Sequence, residues 1–226
     1  MRVAAINGSP HGATGATQVA LSAFLEGCRE GGAELALVQL AGKRLGFCLG
    51  CHACWTTSPG RCVQEDDLAS ILETIEGAEL VVLASPLHFL QVSGQLKVFI
   101  DRLTSTGGNP HGERPKVEGP PPRLAAIMSC GFPRPEQFRA SSLWMEDLSG
   151  LLGRELLLEA YAAGARRLAR PGTEAGMEGP APTDPEVLAW LEILREAGRT
   201  AARGGTIEAG AKATLKRGFG PSPAKP

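Results

Sequence analysis

Residues 79–102 read ELVVLASPLHFLQVSGQLKVFIDR, and this stretch decides the fold. After Glu79 the run to Ala84 is apolar throughout, which predicts a parallel strand covered by helices on both faces. A helix follows, because apolar residues recur there at helical spacing. These residues are Val92, Leu96, Phe99, Ile100 and Leu103. A buried strand that leads into a helix is the repeating unit of an α/β sheet.

The same alternation of strand and helix recurs on both sides of this stretch. Further strands are predicted at residues 2–6, 34–40, 124–128 and 155–160, and further helices at 15–30, 66–75, 144–152 and from 184 onward. Five alternations predict an α/β fold with a right-handed, doubly wound parallel sheet, for which two strand orders are common. In either order, ligands lie beyond the carboxyl ends of the strands.

Length and composition predict one domain over residues 1–203 of the 226-residue chain. Residues 105–122 are rich in Gly and Pro, so they are interpreted as a surface excursion within that domain. From 204 to 226 the sequence is mostly Gly, Ala, Lys and Pro, which predicts a flexible tail.

Charge and hydropathy exclude several classes of partner. A formal net charge of −1 gives no electrostatic basis for binding nucleic acid or a membrane surface. No segment approaches the roughly 20 apolar residues of a membrane span. The N-terminus leads directly into a strand-like run, so no secretory signal is expected. We therefore expect a cytoplasmic protein whose six cysteines stay reduced.

A glycine-rich turn, INGSPHGATGAT, occupies residues 6–17, between the first strand and the first helix. The hydroxyls of Ser9, Thr14 and Thr17 and the backbone amides at the helix start are typical of a phosphate site. The spacing fits neither a nucleoside-triphosphate loop nor a dinucleotide fingerprint. A plain strand-to-helix connection is the alternative interpretation.

Two further turns follow buried strands and are expected at the same edge of the sheet. Residues 85–89 (SPLHF) offer backbone, His88 and Phe89 as a surface for a flat ring. Taken alone, this turn favours the alternative interpretation, in which Phe89 is a core residue and Pro86 only ends the strand. Residues 129–132 (SCGF) supply small side chains and a glycine where backbone must come close to a ligand.

These motifs together resemble a known family. GSPHGATGAT, CLGCHACW with a later PGRC, SPLHF and VSGQLKVFIDR are similar to the NADPH-dependent FMN reductase and multimeric flavodoxin group. Iron–sulfur flavoproteins are the nearest members by cysteine pattern. The resemblance implies a flavodoxin-like fold of five parallel strands in the order 2-1-3-4-5, with FMN as cofactor.

Residue roles follow from the resemblance by position. The FMN phosphate would be held by Ser9, His11, Thr14, Gly15, Ala16 and Thr17. The isoalloxazine would be lined by Pro86, Leu87, His88 and Phe89, with Ser129, Cys130 and Gly131 on its other edge. The chain departs from the family in having His88 where Tyr is usual and His11 where Arg is common.

The expected activity is an oxidoreductase that moves electrons from NADH or NADPH through FMN to a quinone, free flavin or another small acceptor. The flavin carries this chemistry, so no catalytic residue is assigned. His88 is a candidate for a hydrogen bond near the ring, and Asp101-Arg102 is interpreted as structural. A homodimer or homotetramer is expected from the resemblance. The alternatives are an electron-transfer protein without turnover and a scaffold that lost its flavin.

Four cysteines, Cys48, Cys51, Cys54 and Cys62, fall within fifteen residues. Repeated Cys-x-x-Cys spacing suits a [4Fe–4S] cluster, with the fourth ligand at a variable distance. A structural zinc is a second possibility, although zinc sites more often use two separated pairs. Unligated thiols packed beside the flavin are the preferred interpretation, and the iron–sulfur flavoprotein is the alternative.

Overall fold

A parallel sheet with helices on both faces forms the centre of the molecule. The computed structural model describes residues 1–106, 122–168 and 182–219. The strands are β1 Arg2–Asn7, β2 Glu34–Gln39, β3 Leu80–His88, β4 Gln91–Val92, β5 Arg123–Cys130 and β6 Leu156–Ala163. The helices are α1 Ala16–Glu30, α2 Leu68–Ile75, α3 Gly94–Arg102, α4 Arg139–Leu152, α5 Pro185–Ala202 and α6 Ala209–Arg217. No helix within these ranges is long and apolar enough to cross a bilayer.

The sheet has the order β2-β1-β3-β5-β6, and the short β4 pairs with β3 as an antiparallel hairpin. Without β4 this is the order 2-1-3-4-5, so the predicted flavodoxin-like fold is confirmed. Strand β3 continues past Ala84 because Pro86 still pairs with Ser129 of β5. The register also sets Asn7 beside Ala84, so the turns after β1, β3 and β5 meet at one edge of the sheet.

Alternate residues of each central strand enter two separate hydrophobic layers, as a strand's period of two requires. In β3, Leu80 and Val82 contribute to the layer under α1 and α5. Val81 and Leu83 contribute to the opposite layer, which contains residues of α2, α3 and α4. Both faces of the strand are therefore buried, as its apolar sequence predicts.

Helices α1 and α5 cross at two glycines. A Cβ atom at Gly27 would overlap the carbonyl oxygen of Arg195, and one at Gly198 would overlap that of Phe24. Beside the crossing, Glu30 forms ion pairs with Arg195 and Arg199. The two helices thus pack backbone against backbone, and α5 fixes α1 on the sheet.

The C-terminal segment differs from the sequence-based expectation. Residues 209–217 form α6, and Leu215 and Phe219 are buried in the layer shared with α5. The ring of Phe219 meets Trp190 edge-on, with centroids 5.5 Å apart. The prediction of a flexible tail is therefore wrong for residues 204–219. Residues 220–226, and 107–121 of the predicted excursion, lie outside the described part of the chain.

Candidate functional site

The turn after β1 is held in shape by the buried side chain of Asn7. Its Oδ1 accepts from the backbone N–H of Ser9 at 2.9 Å, and its Nδ2 donates to the carbonyl of Gly12 at 3.1 Å. Ser9 is also buried, and its Oγ accepts from the N–H of His11 at 3.2 Å. Hydrogen bonds from the side chains of Asn7 and Ser9 therefore fix the backbone of this turn. Asn7 was not among the predicted site residues, although an Asn-Gly pair after a buried strand is a recognisable turn signal.

The N-terminus of α1 opens onto this turn. Gly15 is the N-cap residue in an extended conformation, and as a glycine it has no side chain to cap the helix. The helix begins at Ala16. His11 and Thr14 precede it, and their side chains are exposed. A helix N-terminus carries partial positive charge and free N–H groups, so this end suits an anion.

Thr17 occupies a different environment from the other predicted phosphate residues. Its side chain is buried, and its Oγ1 lies 2.8 Å from the Oγ of Ser129 in a hydrogen bond. This bond joins the first turn of α1 to the end of β5. Next to Ser129, the thiol of Cys130 is buried and donates to Gln137 at 3.2 Å, whereas Gly131 is exposed.

The first and second turns are connected through the start of α3. The N–H of Gly8 donates to the carbonyl of Ala84 at 2.8 Å, and Ser93 Oγ donates to the carbonyl of Gly8 at 2.6 Å. The N–H of Ser93 donates to Ser85 Oγ at 2.9 Å. A Cβ at Gly8 would lie 2.6 Å from Leu96 Cβ, so only glycine fits here without a shift. Ser93 is a buried N-cap residue that the sequence analysis did not single out, although Ser before a helix signals one.

In the β3–β4 hairpin, the predicted ring-binding residues become more exposed to solvent toward the tip. Pro86 and Leu87 are half-buried, His88 is exposed, and Phe89 is fully exposed at the tip. Phe89 and Leu90 have φ angles of 50° and 65°, and Ser141 Oγ donates to the carbonyl of Leu90 at 2.9 Å. The interpretation of Phe89 as a core residue is therefore wrong. Left-handed backbone at two large apolar residues is costly and is typical of functional turns.

The four clustered cysteines lie in one loop and line one cavity of about 250 Å³, together with Arg102 and Trp55. Cys48 and Cys51 are exposed, Cys54 and Cys62 are half-buried, and all four are free thiols. Burial raises the pKa of the Cys54 thiol, and the charges of the other three thiols add to the rise. The predicted metal ligands therefore share one pocket.

The pocket fits a cluster by donor chemistry but is not assembled as a metal site. Within the described ranges, no three Cys, His, Asp or Glu side chains are already spaced to hold a metal ion. Four thiolates are the donor set of a [4Fe–4S] cluster, and Cys₄ also suits zinc. Ligation would require the loop to draw its thiols together, and the exposure of Cys48 and Cys51 leaves room for this.

A buried ion pair between Arg102 and Asp66 lies at the base of the cysteine loop, residues 46–62. Arg102 is 1% exposed, and its Nη1 donates to Asp66 Oδ2 and to the carbonyl of Gly46, both at 2.8 Å. Burial by itself would raise the pKa of the Asp66 carboxyl, but hydrogen bonds from Arg102 and from backbone N–H groups leave it lowered. Asp101, the other member of the predicted structural pair, instead meets Lys97 on the surface.

Residues 1–164 match the family described as NADPH-dependent FMN reductase. An iron-sulfur flavoprotein of Archaeoglobus fulgidus is 35% identical over 119 residues, which cover 53% of this chain and 50% of the relative. An iron-sulfur flavoprotein of Methanocaldococcus jannaschii is 37% identical over 102 residues, covering 45% and 51%. The chain spans about half the length of the curated relatives it matches.

Solved structures share the fold at low sequence identity. The NAD(P)H:quinone oxidoreductase from Methanothermobacter marburgensis has a TM-score of 0.60 and 18% identity, covering 90% of this chain and 95% of the other. An FMN-dependent NADH-azoreductase from Bacillus anthracis, solved in complex with FMN, has a TM-score of 0.59 and 15% identity, covering 89% and 97%.

Proposed function

This chain belongs to the NADPH-dependent FMN reductase family, and from that premise we propose that it binds FMN and works as an oxidoreductase. Electrons would pass from NADH or NADPH through the flavin to a quinone, free flavin or another small acceptor. The observation that carries the proposal is the N-terminus of α1, whose N-cap residue Gly15 has no side chain and which opens onto a turn already shaped by Asn7 and Ser9. The turns after β3 and β5 lie at the same edge of the sheet.

Different residues at this edge of the sheet would bind the phosphate and the ring of FMN. His11, Thr14, Gly15 and Ala16 lie where the positive end of α1 would hold a phosphate. Pro86 and Leu87 offer a half-buried wall, and the turn at Ser129 offers a second one. When bound, FMN supplies the two-electron chemistry, while the protein supplies position and electrostatics. Because the turn is already hydrogen-bonded, little conformational entropy would be lost when it binds FMN.

The identity of the flavin tests this proposal. Heating the purified protein should release FMN, whereas release of mainly FAD would contradict a site built for one terminal phosphate. Under nitrogen, NADH or NADPH should bleach the bound flavin, and a quinone should restore its absorbance. A flavin that stays oxidised with both nucleotides would refute the proposed electron donor and leave an electron-transfer protein.

A second candidate function rests on the cysteine pocket. All four thiols line one cavity, and the curated relatives are named iron-sulfur flavoproteins. In this version, Cys48, Cys51, Cys54 and Cys62 would hold a [4Fe–4S] cluster, and the chain would transfer single electrons. Anaerobically purified protein should then contain about four irons and four sulfides per chain.

Two cysteine variants make this test specific. Cys51→Ala should lose the iron, because it removes an exposed thiol of the pocket. Cys28→Ala is the matched control: Cys28 lies on the buried face of α1, in the core layer on the other side of the sheet from Cys62, so its replacement should leave the iron content unchanged. An iron-free wild-type protein would refute the cluster and leave the flavin proposal standing.

A further inference from the structure

Arg102 is a buried positive charge in the wall of the cysteine pocket. Its guanidinium is fixed by three hydrogen bonds: Nη1 donates to Asp66 Oδ2 and to the carbonyl of Gly46, and Nη2 donates to Asp66 Oδ1 at 3.2 Å. Asp66 is itself held by the N–H groups of Gly46 and Leu68. The charge is therefore anchored by the cysteine-bearing loop and by the start of α2.

Arg102 also lines the same cavity as Cys62. Its Nε atom is buried without a hydrogen-bond partner among the described residues. Because a guanidinium is protonated at any physiological pH, Arg102 places a positive charge in the cavity wall that it shares with Cys62, and it retains an unused donor.

Helix α3 ties this charge to the other site. Its N-cap residue Ser93 is bonded to Gly8 and Ser85 at the edge of the sheet where FMN is proposed to bind. Its last residue is Arg102. Nine helical residues span about 13 Å, so one rigid element sets the separation of the two sites.

We propose that Arg102 is a positioning residue that tunes the redox group of the cysteine pocket by holding one positive charge against Cys62. This inference rests on the second candidate function, a cluster on the four thiols. Reduction adds a negative charge to the pocket, and a fixed cation beside it favours the reduced form. Outer-shell hydrogen bonds and charges of this kind set the potentials of iron–sulfur sites. Asp66 fixes the cation and offsets part of its field.

Variants of opposite charge test this role. The protein is reconstituted anaerobically with ferrous iron and sulfide, and its midpoint potential is measured by reductive titration followed by absorbance and electron paramagnetic resonance. Arg102→Gln should make reduction about tenfold less favourable, a decrease of about 59 mV for one electron. Asp66→Asn should shift the potential upward, and Arg102→Lys should stay near the wild-type value.

The matched control is Lys97→Gln, which removes a positive charge from the exposed face of the same helix. Its potential should be unchanged. If Arg102→Gln and Asp66→Asn shift the potential in the same direction, or not at all, the role of Arg102 is refuted. If Arg102→Gln does not fold, an unchanged or lowered potential in Asp66→Asn refutes it instead.

The cluster and the role of Arg102 are refuted by different results. A wild-type protein that takes up no iron refutes the cluster itself, and the role of Arg102 falls with it. A wild-type protein with about four irons per chain, whose potential is insensitive to both charge variants, refutes only the role of Arg102. Flavin content, measured on the same samples, reports the proposed FMN function independently.

Discussion

The two candidate redox regions of this molecule are built in opposite ways. In the turn at residues 7–17, buried side chains already hold the backbone, and the helix end is open for an anion. In the loop at residues 46–62, the base is fixed by Arg102, but two of the four thiols are exposed. The first region is assembled before its ligand arrives, whereas the second would be completed by its ligand.

The two regions also owe their stability to different interactions. The turn at residues 7–17 belongs to the sheet edge, and its hydrogen bonds form together with the core. The cysteine loop contributes little to the core, so its stability comes from a few polar contacts at its base. Mutations should therefore affect global unfolding in the first region and local order in the second, apart from the buried ion pair.

The largest expected effect comes from that ion pair. Asp66→Ala leaves the guanidinium of Arg102 buried without its carboxylate, which should lower the free energy of unfolding by about 3–5 kcal/mol. Urea denaturation measures this. Asp101→Ala is the control, because it breaks only the exposed pair with Lys97 and should cost less than about 0.5 kcal/mol. Equal losses would mean that the base of the loop is no more important than the surface.

A smaller effect is expected at the contact between the first turn and α3. Gly8→Ala places a Cβ 2.6 Å from Leu96 Cβ and 3.0 Å from Ser93 Oγ, which should cost about 1–3 kcal/mol by overpacking. Gly94→Ala is the matched control, since a Cβ there meets nothing within 4 Å and helix propensity favours Ala. Thermal and urea unfolding of the flavin-free protein compare the two. A neutral Gly8→Ala would show that the first turn is not rigidly assembled.

Thr17→Val separates two roles of one hydroxyl. Losing the bond to Ser129 should cost about 1 kcal/mol of stability in the flavin-free protein. If Thr17 also bonds the FMN phosphate, the FMN dissociation constant should rise about fivefold as well, measured by flavin fluorescence. Ser129→Ala removes the same internal bond and keeps the Thr17 hydroxyl. A dissociation constant unchanged in Thr17→Val would remove Thr17 from the phosphate site.

The smallest global effect is expected within the cysteine loop. Trp55→Phe removes the hydrogen bond from Nε1 to the carbonyl of Thr104, which is 3.1 Å long. Because the loop is weakly coupled to the core, global stability should change by less than about 1 kcal/mol. Proteolysis at residues 48–62 should become faster, since local opening is easier. A large global loss would contradict the separation of the two regions.

Local periodicity predicted most of the fold. The parallel strands followed from runs such as residues 79–84, because a strand buried on both faces must be apolar throughout. The order 2-1-3-4-5 was implied by the family resemblance, since the alternation of strands and helices left two orders open. Helix α6 was missed because its nine residues are mostly Ala, Gly and charged, and Leu215 is its one large apolar residue. Its burial depends on β6 and α5, which a local pattern does not contain.

The candidate site divides in the same way. The three turns were predicted because glycine and hydroxyl residues after strands have a local meaning. Arg102 was interpreted as structural from its place at a helix end, but its partner Asp66 lies 36 residues away and is chosen by packing. The direction of Phe89 was equally hidden, since apolar character does not reveal that a hairpin turns its side chain outward.

The crossing of α1 and α5 at Gly27 and Gly198 joins the part of the chain that matches the family to a part beyond that match. The family match ends at residue 164, but the helix that covers Phe24 begins at Pro185. The match to the family therefore ends before the last helices of the folded unit. A chain cut at the family boundary would keep every proposed flavin contact and still present the outer side of α1 to water. The start of that same helix is the proposed phosphate anchor, so we expect FMN affinity to depend on a segment that contains none of the residues proposed to contact the cofactor.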